Sequence, residues 1–175
     1  TYGKILAITR QDIINDDLGA ISTIPRKLGR GAGLKFNKVF WTAFMDNSSF
    51  FTGQSYLDGS TTTLTAVGLA LALKKFRAIT DADGNPVGVE PRVLLVPSDL
   101  EVAALQLTQS MTFNAGGSAT TEQIPNQNVF AGKYQVAATS YLSNSAYTGY
   151  SALAWYLLAD PQDVAAVEAC FLNGV

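Results

Sequence analysis

Histidine is absent from the 175 residues, and cysteine occurs once, at Cys170. Without an imidazole, a Ser-His-Asp or Cys-His nucleophile has no base, and the helical zinc-protease pair and His-containing zinc fingers lack their ligands. A single thiol closes no internal disulfide, so the chain needs no oxidising compartment. Charge is scarce too: 15% of residues are charged, where about a quarter is usual. Polarity comes instead from 16 Thr and 12 Ser. Long apolar runs are also missing. The longest candidates, around Leu69–Leu73 and Ala152–Ala159, fall well short of the roughly 18 residues of a membrane helix, so no membrane partner is expected. No signal peptide is visible, and the chain opens on Thr1 rather than methionine, which reads as a beginning lost to processing or truncation.

What is present is 47% apolar, with a mean hydropathy of +0.15. The length suits one domain, or one compact body with a smaller appendage, and is enough to bury a sizeable core. The net charge of −2 and isoelectric point near 5.0 argue against a dedicated nucleic-acid binder, which is expected to be strongly basic. That average hides a division. Residues 1–38 hold seven of the twelve cations against three aspartates, whereas residues 93–175 hold one lysine against six carboxylates. Such a dipolar chain favours head-to-tail contact between copies; unevenly spread surface charge is the plainer explanation.

The most informative segment starts at Ile21. Ile21, Ile24, Leu28, Ala32, Phe36, Val39 and Ala43 recur at intervals of three and four, one stripe of an α-helix. Ser22 or Thr23 can cap its start, and Pro25 suits a first turn. Gly29, Gly31 and Gly33 each cost about 1 kcal/mol in a helix interior, yet the stripe stays in phase across them. One helix over about 21–45 is therefore expected, with the glycines permitting close backbone approach. Arg26, Lys27, Arg30 and Lys38 fall on the face away from the stripe and form the candidate contact face, for another subunit or for nucleic acid; a solvated face is the plainer reading.

Elsewhere the patterning predicts a strand over Tyr2–Thr9, a short helix over Asp12–Leu18 ending at Gly19, and strands at Ser49–Thr52 and Ser55–Leu57. A largely buried helix is expected from Ser60 or Thr61 to about Ile79, then a loop at Asp81–Gly88 and a buried strand at Val93–Val96. Ser98-Asp99-Leu100-Glu101 has the form of a capping box opening a further helix. Thr112–Lys133 reads as a long exposed loop. Strands follow at Tyr134–Tyr141, Ala152–Ala159 and Val167–Leu172. The order mixes helices and strands without regular alternation, so the fold class is α+β.

The candidate chemistry is thin. Gly29-Arg30-Gly31-Ala32-Gly33 superficially resembles a phosphate loop but lacks the G-x-G-x-x-G spacing and a preceding strand. Asp81, Asp83 and Asn85 match the first places of a calcium loop, but Pro86 and Arg92 occupy the glycine and glutamate places, leaving a turn. Asp16-Asp17 and Asp160/Asp163 are close carboxylate pairs of the kind that surface turns use for capping. Cys170 reads as a small buried hydrophobe of the last strand. Trp41, Phe36, Phe40 and Phe44 read as core packing or a subunit contact. No catalytic, cofactor-binding or metal-binding residue is assigned.

Several strings carry a resemblance. Ile8-Thr9-Arg10-Gln11-Asp12-Ile13-Ile14-Asn15-Asp16-Asp17-Leu18-Gly19, Ile24-Pro25-Arg26-Lys27-Leu28-Gly29-Arg30, Pro91-Arg92-Val93-Leu94-Leu95-Val96-Pro97, Trp155-Tyr156-Leu157-Leu158-Ala159-Asp160-Pro161 and the closing Phe171-Leu172-Asn173-Gly174 resemble the Mu-like prophage major head subunit, a tailed-bacteriophage major capsid protein. The resemblance implies a peripheral domain on a long spine helix (residues 1–60), an axial sheet-plus-helices domain (61–150) and a return to the peripheral domain (151–175). It implies a non-enzymatic shell subunit that self-assembles into pentamers and hexamers around non-specifically held DNA, located in the virion capsid and, during assembly, in the host cytoplasm. The family's chains are longer, so the N-terminal arm and extended loop are expected to be missing, and this chain alone to be a monomer or small oligomer. The glycine run departs from the alanine-rich pattern expected of the spine. A bacterial nanocompartment shell protein is the alternative within the fold. A small enzyme or ligand-binding domain is the alternative outside it, and a deep pocket of converging carboxylates, lysine and serine would mark it.

Overall fold

The computed structural model describes residues 7–14, 19–47, 49–51, 56, 62–114, 125–165 and 167–170. The chain forms two compact units, Thr1–Ala43 and Phe44–Val175. The architecture is mixed α+β, as the sequence predicts.

The first unit holds helix α1 (Arg10–Ile14) and nearly all of α2 (Ala20–Met45). Helix α2 is continuous over 26 residues, about 39 Å at 1.5 Å per residue, so the stripe did mark one helix running through the three glycines. It starts a little earlier than its caps indicate. Gly19 takes the left-handed conformation (φ 63°) immediately before it, so Ser22 and Thr23 lie inside the helix rather than at its cap. Pro25 then sits in the second turn, where its missing N–H removes one helical hydrogen bond. Residues 7–9 form no strand, and residues 1–6 and 15–18, on which the other expectations for this stretch fall, lie outside the described residues.

The second unit is organised around strand β1 (Pro91–Pro97). It is the middle strand of a three-stranded sheet, parallel to β4 (Gln135–Thr139) and antiparallel to β5 (Tyr156–Ala159). Leu94 and Val96, fully buried, point with Leu157 into a core completed by Leu69, Ala104, Phe130 and Tyr134. These residues come from α3 (Ala66–Arg77), α4 (Glu101–Gln109) and the turn before β4. Leu95 lies on the other face, opposite Tyr156. There Tyr156 meets Phe44 and Phe51 at ring separations of 5.1 and 5.2 Å. A strand covered on both faces needs apolar residues without alternation, which explains the unbroken Val93–Val96 run.

Several boundaries differ from the sequence reading. Helix α3 begins only after Thr65, whose hydroxyl accepts from the Gly68 amide at 3.1 Å. It buries one face rather than several, leaving Val67 and Leu71 exposed. The capping box does not form: Ser98–Leu100 is a 3-10 turn, and α4 starts behind Leu100 without a side-chain cap. The expected loop after α4 contains two short paired strands, β2 (Thr112–Asn114) and β3 (Pro125–Gln127). Strand β5 begins at Tyr156, not Ala152, and is half-buried. Residues 49–51, 56 and 167–170 are not in strands.

Asn128 ties these parts together. Its amide donates to the carbonyls of Leu107 (2.7 Å) and Ser110 (2.8 Å), its side-chain oxygen accepts from the Phe130 amide (2.9 Å), and its own N–H donates to Met111. The residue is 5% exposed, so these bonds replace water for the open end of α4. Asn128→Ala is expected to cost about 2–4 kcal/mol, because each stranded buried group costs about 1–3 kcal/mol. Thermal unfolding of the variant against the parent checks it.

Candidate assembly surface

The stripe that identifies α2 is not buried. Ile24, Leu28, Ala32, Phe36, Val39 and Ala43 are all exposed. The covered side chains lie at the helix's C-terminal end and on another face: Phe44 and Met45 are buried, and Phe40 and Trp41 are half-buried against each other with rings 5.2 Å apart. Of the aromatic residues expected in the core, Phe36 is exposed. Arg26, Lys27, Arg30 and Lys38 are exposed as well. None of their side chains has an ion-pair or hydrogen-bond partner among the described residues. The helix thus presents an apolar face and a cationic face together.

The remaining candidates resolve into turns. The glycine run is helical throughout, so its amides serve the helix and cradle no phosphate. The Asp81 carboxylate accepts from the amides of Asp83 (3.0 Å) and Asn85 (2.8 Å) and from the Asn85 side chain (3.3 Å). Those bonds, the Asn85 amide foremost, hold its pKa below the usual carboxylate range. Their contribution is present above the ordinary carboxylate pKa and is lost as pH falls through the lowered one. Asp160 caps its own turn by accepting from the Gln162 amide. Cys170 is exposed, not buried; the turn at Asp160-Pro161 ends β5, and residues 167–170 of the strand expected to enclose the thiol are not in a strand.

Two hollows mark the second unit. One, of about 600 Å³, is lined by Arg77, Glu90, Arg92, Lys133, Asp160 and Asp163. Carboxylates and a lysine do converge there, but no serine joins them. Its one ion pair, Arg77 to Glu90 at 2.9 Å, is 56% and 63% exposed, so it lacks the desolvation that tunes catalytic groups. Glu90 holds the Arg77 guanidinium in its charged form, and burial pushes the Tyr134 phenol up. The other hollow, about 450 Å³, is apolar, with Phe50, Phe51, Phe76, Leu153 and Tyr156 in its wall. Among the described residues, no cluster of His, Cys, Asp or Glu is placed to hold a metal ion, and no helix is long and apolar enough to cross a membrane.

The first unit thus exposes an apolar helix face, and the second unit carries a solvated ionic cleft. In a comparison with known families, residues 1–175 match the phage capsid protein family. The chain belongs to that family. No curated protein and no solved structure matches it.

Membership of the capsid family gives the chain a structural role, and the glycines of α2 can be read against the structure. A methyl group added at Gly29, Gly31 or Gly33 meets nothing within 4 Å, so the close approach they were expected to permit does not occur within the described residues. Replacing all three by alanine is expected to stabilise α2 by about 0.8–1 kcal/mol each. Helicity and the thermal midpoint, followed by circular dichroism, both rise if so. Gly149 is the opposite case: at φ 79° its added methyl would lie 2.6 Å from the Met45 carbonyl oxygen.

Proposed function

We propose that the chain is the major head subunit of a Mu-like phage or prophage, which self-assembles into an icosahedral shell of pentamers and hexamers enclosing DNA. The observation that carries this reading is the α2 stripe: six apolar positions in helical phase, exposed over the length of a 26-residue helix, within a phage capsid family member. Monomeric proteins rarely leave contiguous apolar patches of this kind uncovered. In this reading α2 is the spine of a peripheral domain (residues 1–60). Residues 61–150 are the axial domain, and residues 151–175 return to the peripheral one. Arg26, Lys27, Arg30 and Lys38 contact a neighbour or the packaged DNA. The work is geometric rather than chemical: heterologous contacts close into rings, and rings into a shell. Assembly takes place in the host cytoplasm before the shell becomes the virion head.

Electron microscopy of the full-length protein expressed alone tests the proposal. Closed shells or their ring-shaped subassemblies are expected. A strictly monomeric full-length protein under assembly-favouring conditions would overturn it.

A further inference from the structure

The charge of the chain divides where its fold divides. Residues 1–43 carry seven cations against three carboxylates, a net of +4, and residues 44–175 carry five against eleven, a net of −6. Helix α2 itself has five cations and no acid. Beyond Lys133 the chain has no cation at all, and its described carboxylates there are Asp160, Asp163 and Glu168.

The two ends of this dipole match in more than sign. At 100° per residue, Lys27, Arg30, Leu34 and Lys38 share one sector of α2 about 80° wide. Leu34 stands 53% exposed among the three cations. On the second unit, Asp163, Val164, Val167 and Glu168 are exposed, the valines at 45% and 44%. Neither acid has a side-chain partner among the described residues. One surface is therefore apolar between cations, and the other is apolar between anions.

Resting on the self-association proposed above, we infer that the cationic face of α2 in one copy docks on the acidic segment Asp163–Glu168 of a second copy. Leu34 then packs against Val164 and Val167. DNA is the weaker occupant for this face, since a phosphate backbone gives Leu34 no apolar partner. The contact is heterologous, so each docked copy leaves its own acidic segment open for the next, and association propagates.

A charge-swap experiment in the full-length protein tests this. Arg30→Glu/Lys38→Glu and Asp163→Lys/Glu168→Lys are made separately, and association is followed by sedimentation velocity and light scattering. All four side chains are exposed, so each variant is expected to keep the parent's thermal midpoint. Each alone pairs like with like and is expected to associate at least about 10-fold more weakly than the parent. An equimolar mixture restores opposite charges at every contact and regains the parent's association. The parent's own association weakens as salt rises from about 50 to about 500 mM, as the Debye length shortens.

A mixture as poor as its components overturns the pairing. So does helix reversal that spares association but abolishes binding to a mixed-sequence DNA duplex, which assigns the face to nucleic acid. A lowered thermal midpoint in both variants, regained when all four changes are combined in one chain, assigns the contact to the same molecule and overturns it too. A parent that associates undisturbed by either reversal loses this inference and keeps the shell reading; a parent that never associates loses both.

Discussion

Leu28→Asp and Val39→Asp together abolish self-association and leave the fold in place. Both residues are exposed on the α2 stripe, at 37% and 45%. Replacing them removes no core contact and costs the helix at most about 0.7 kcal/mol each in propensity. In the proposed shell the same positions would be desolvated against a neighbour, where two carboxylates would have no water and no assigned cation. Interface positions of this kind cost about 2 kcal/mol or more when altered, about 30-fold per site, and the effect multiplies over the many identical contacts of a shell. Electron microscopy and sedimentation report the loss of assembly, while circular dichroism reports an unchanged monomer. Retained assembly would show that the stripe faces solvent in the shell as well.

This prediction marks the limit of what the sequence reveals about α2. Its existence and extent were legible because a stripe in phase over seven apolar positions outweighs three glycines. The partner of that stripe was not legible, since periodicity records that a face is apolar and not what covers it. The burial runs the other way at the helix end. Phe44 and Met45 lie off the stripe, yet they are buried, Phe44 against the rings of Phe51 and of Tyr156 in β5. Such a contact spans more than 100 residues and leaves no local signature.

The same distinction explains the second unit. β1 was legible as a short run of Val and Leu, and β4 from its alternation. β2 and β3 were not, because three-residue strands are too short to show a period. Asn128 is the residue sequence reasoning missed most clearly. In a stretch of Gly, Asn, Gln and Thr it looks like one more loop amide, and only the arrival of the α4 carbonyls around it makes it structural. The candidate face of Arg26, Lys27, Arg30 and Lys38 was legible as a set from helix geometry. Its acidic counterpart around Asp163 and Glu168 was masked by an expected final strand that does not form in residues 167–170.

Leu94→Ala has the largest expected effect on stability. Leu94 is wholly buried in the central strand, paired in register with Val136 of β4 and Leu157 of β5. Large-to-small changes at such sites cost about 2.7–5 kcal/mol, the higher values where the surroundings cannot collapse into the space. Here they cannot. β1 is fixed by hydrogen bonds on both sides, and Ala104, fully buried across the core, is too small to fill the gap. The loss is a large part of the 5–15 kcal/mol that holds a typical domain together. Urea unfolding is expected to show a lower midpoint with an unchanged slope, whereas Val102→Ala, at a site 66% exposed on α4, stays within about 0.5 kcal/mol of the parent. The two variant sets therefore fail differently. The stripe variants are expected to lose assembly without losing stability, whereas Leu94→Ala is expected to lose stability without altering the exposed stripe. A cost below about 1.5 kcal/mol at Leu94 would mean that β1 is not the centre of the core.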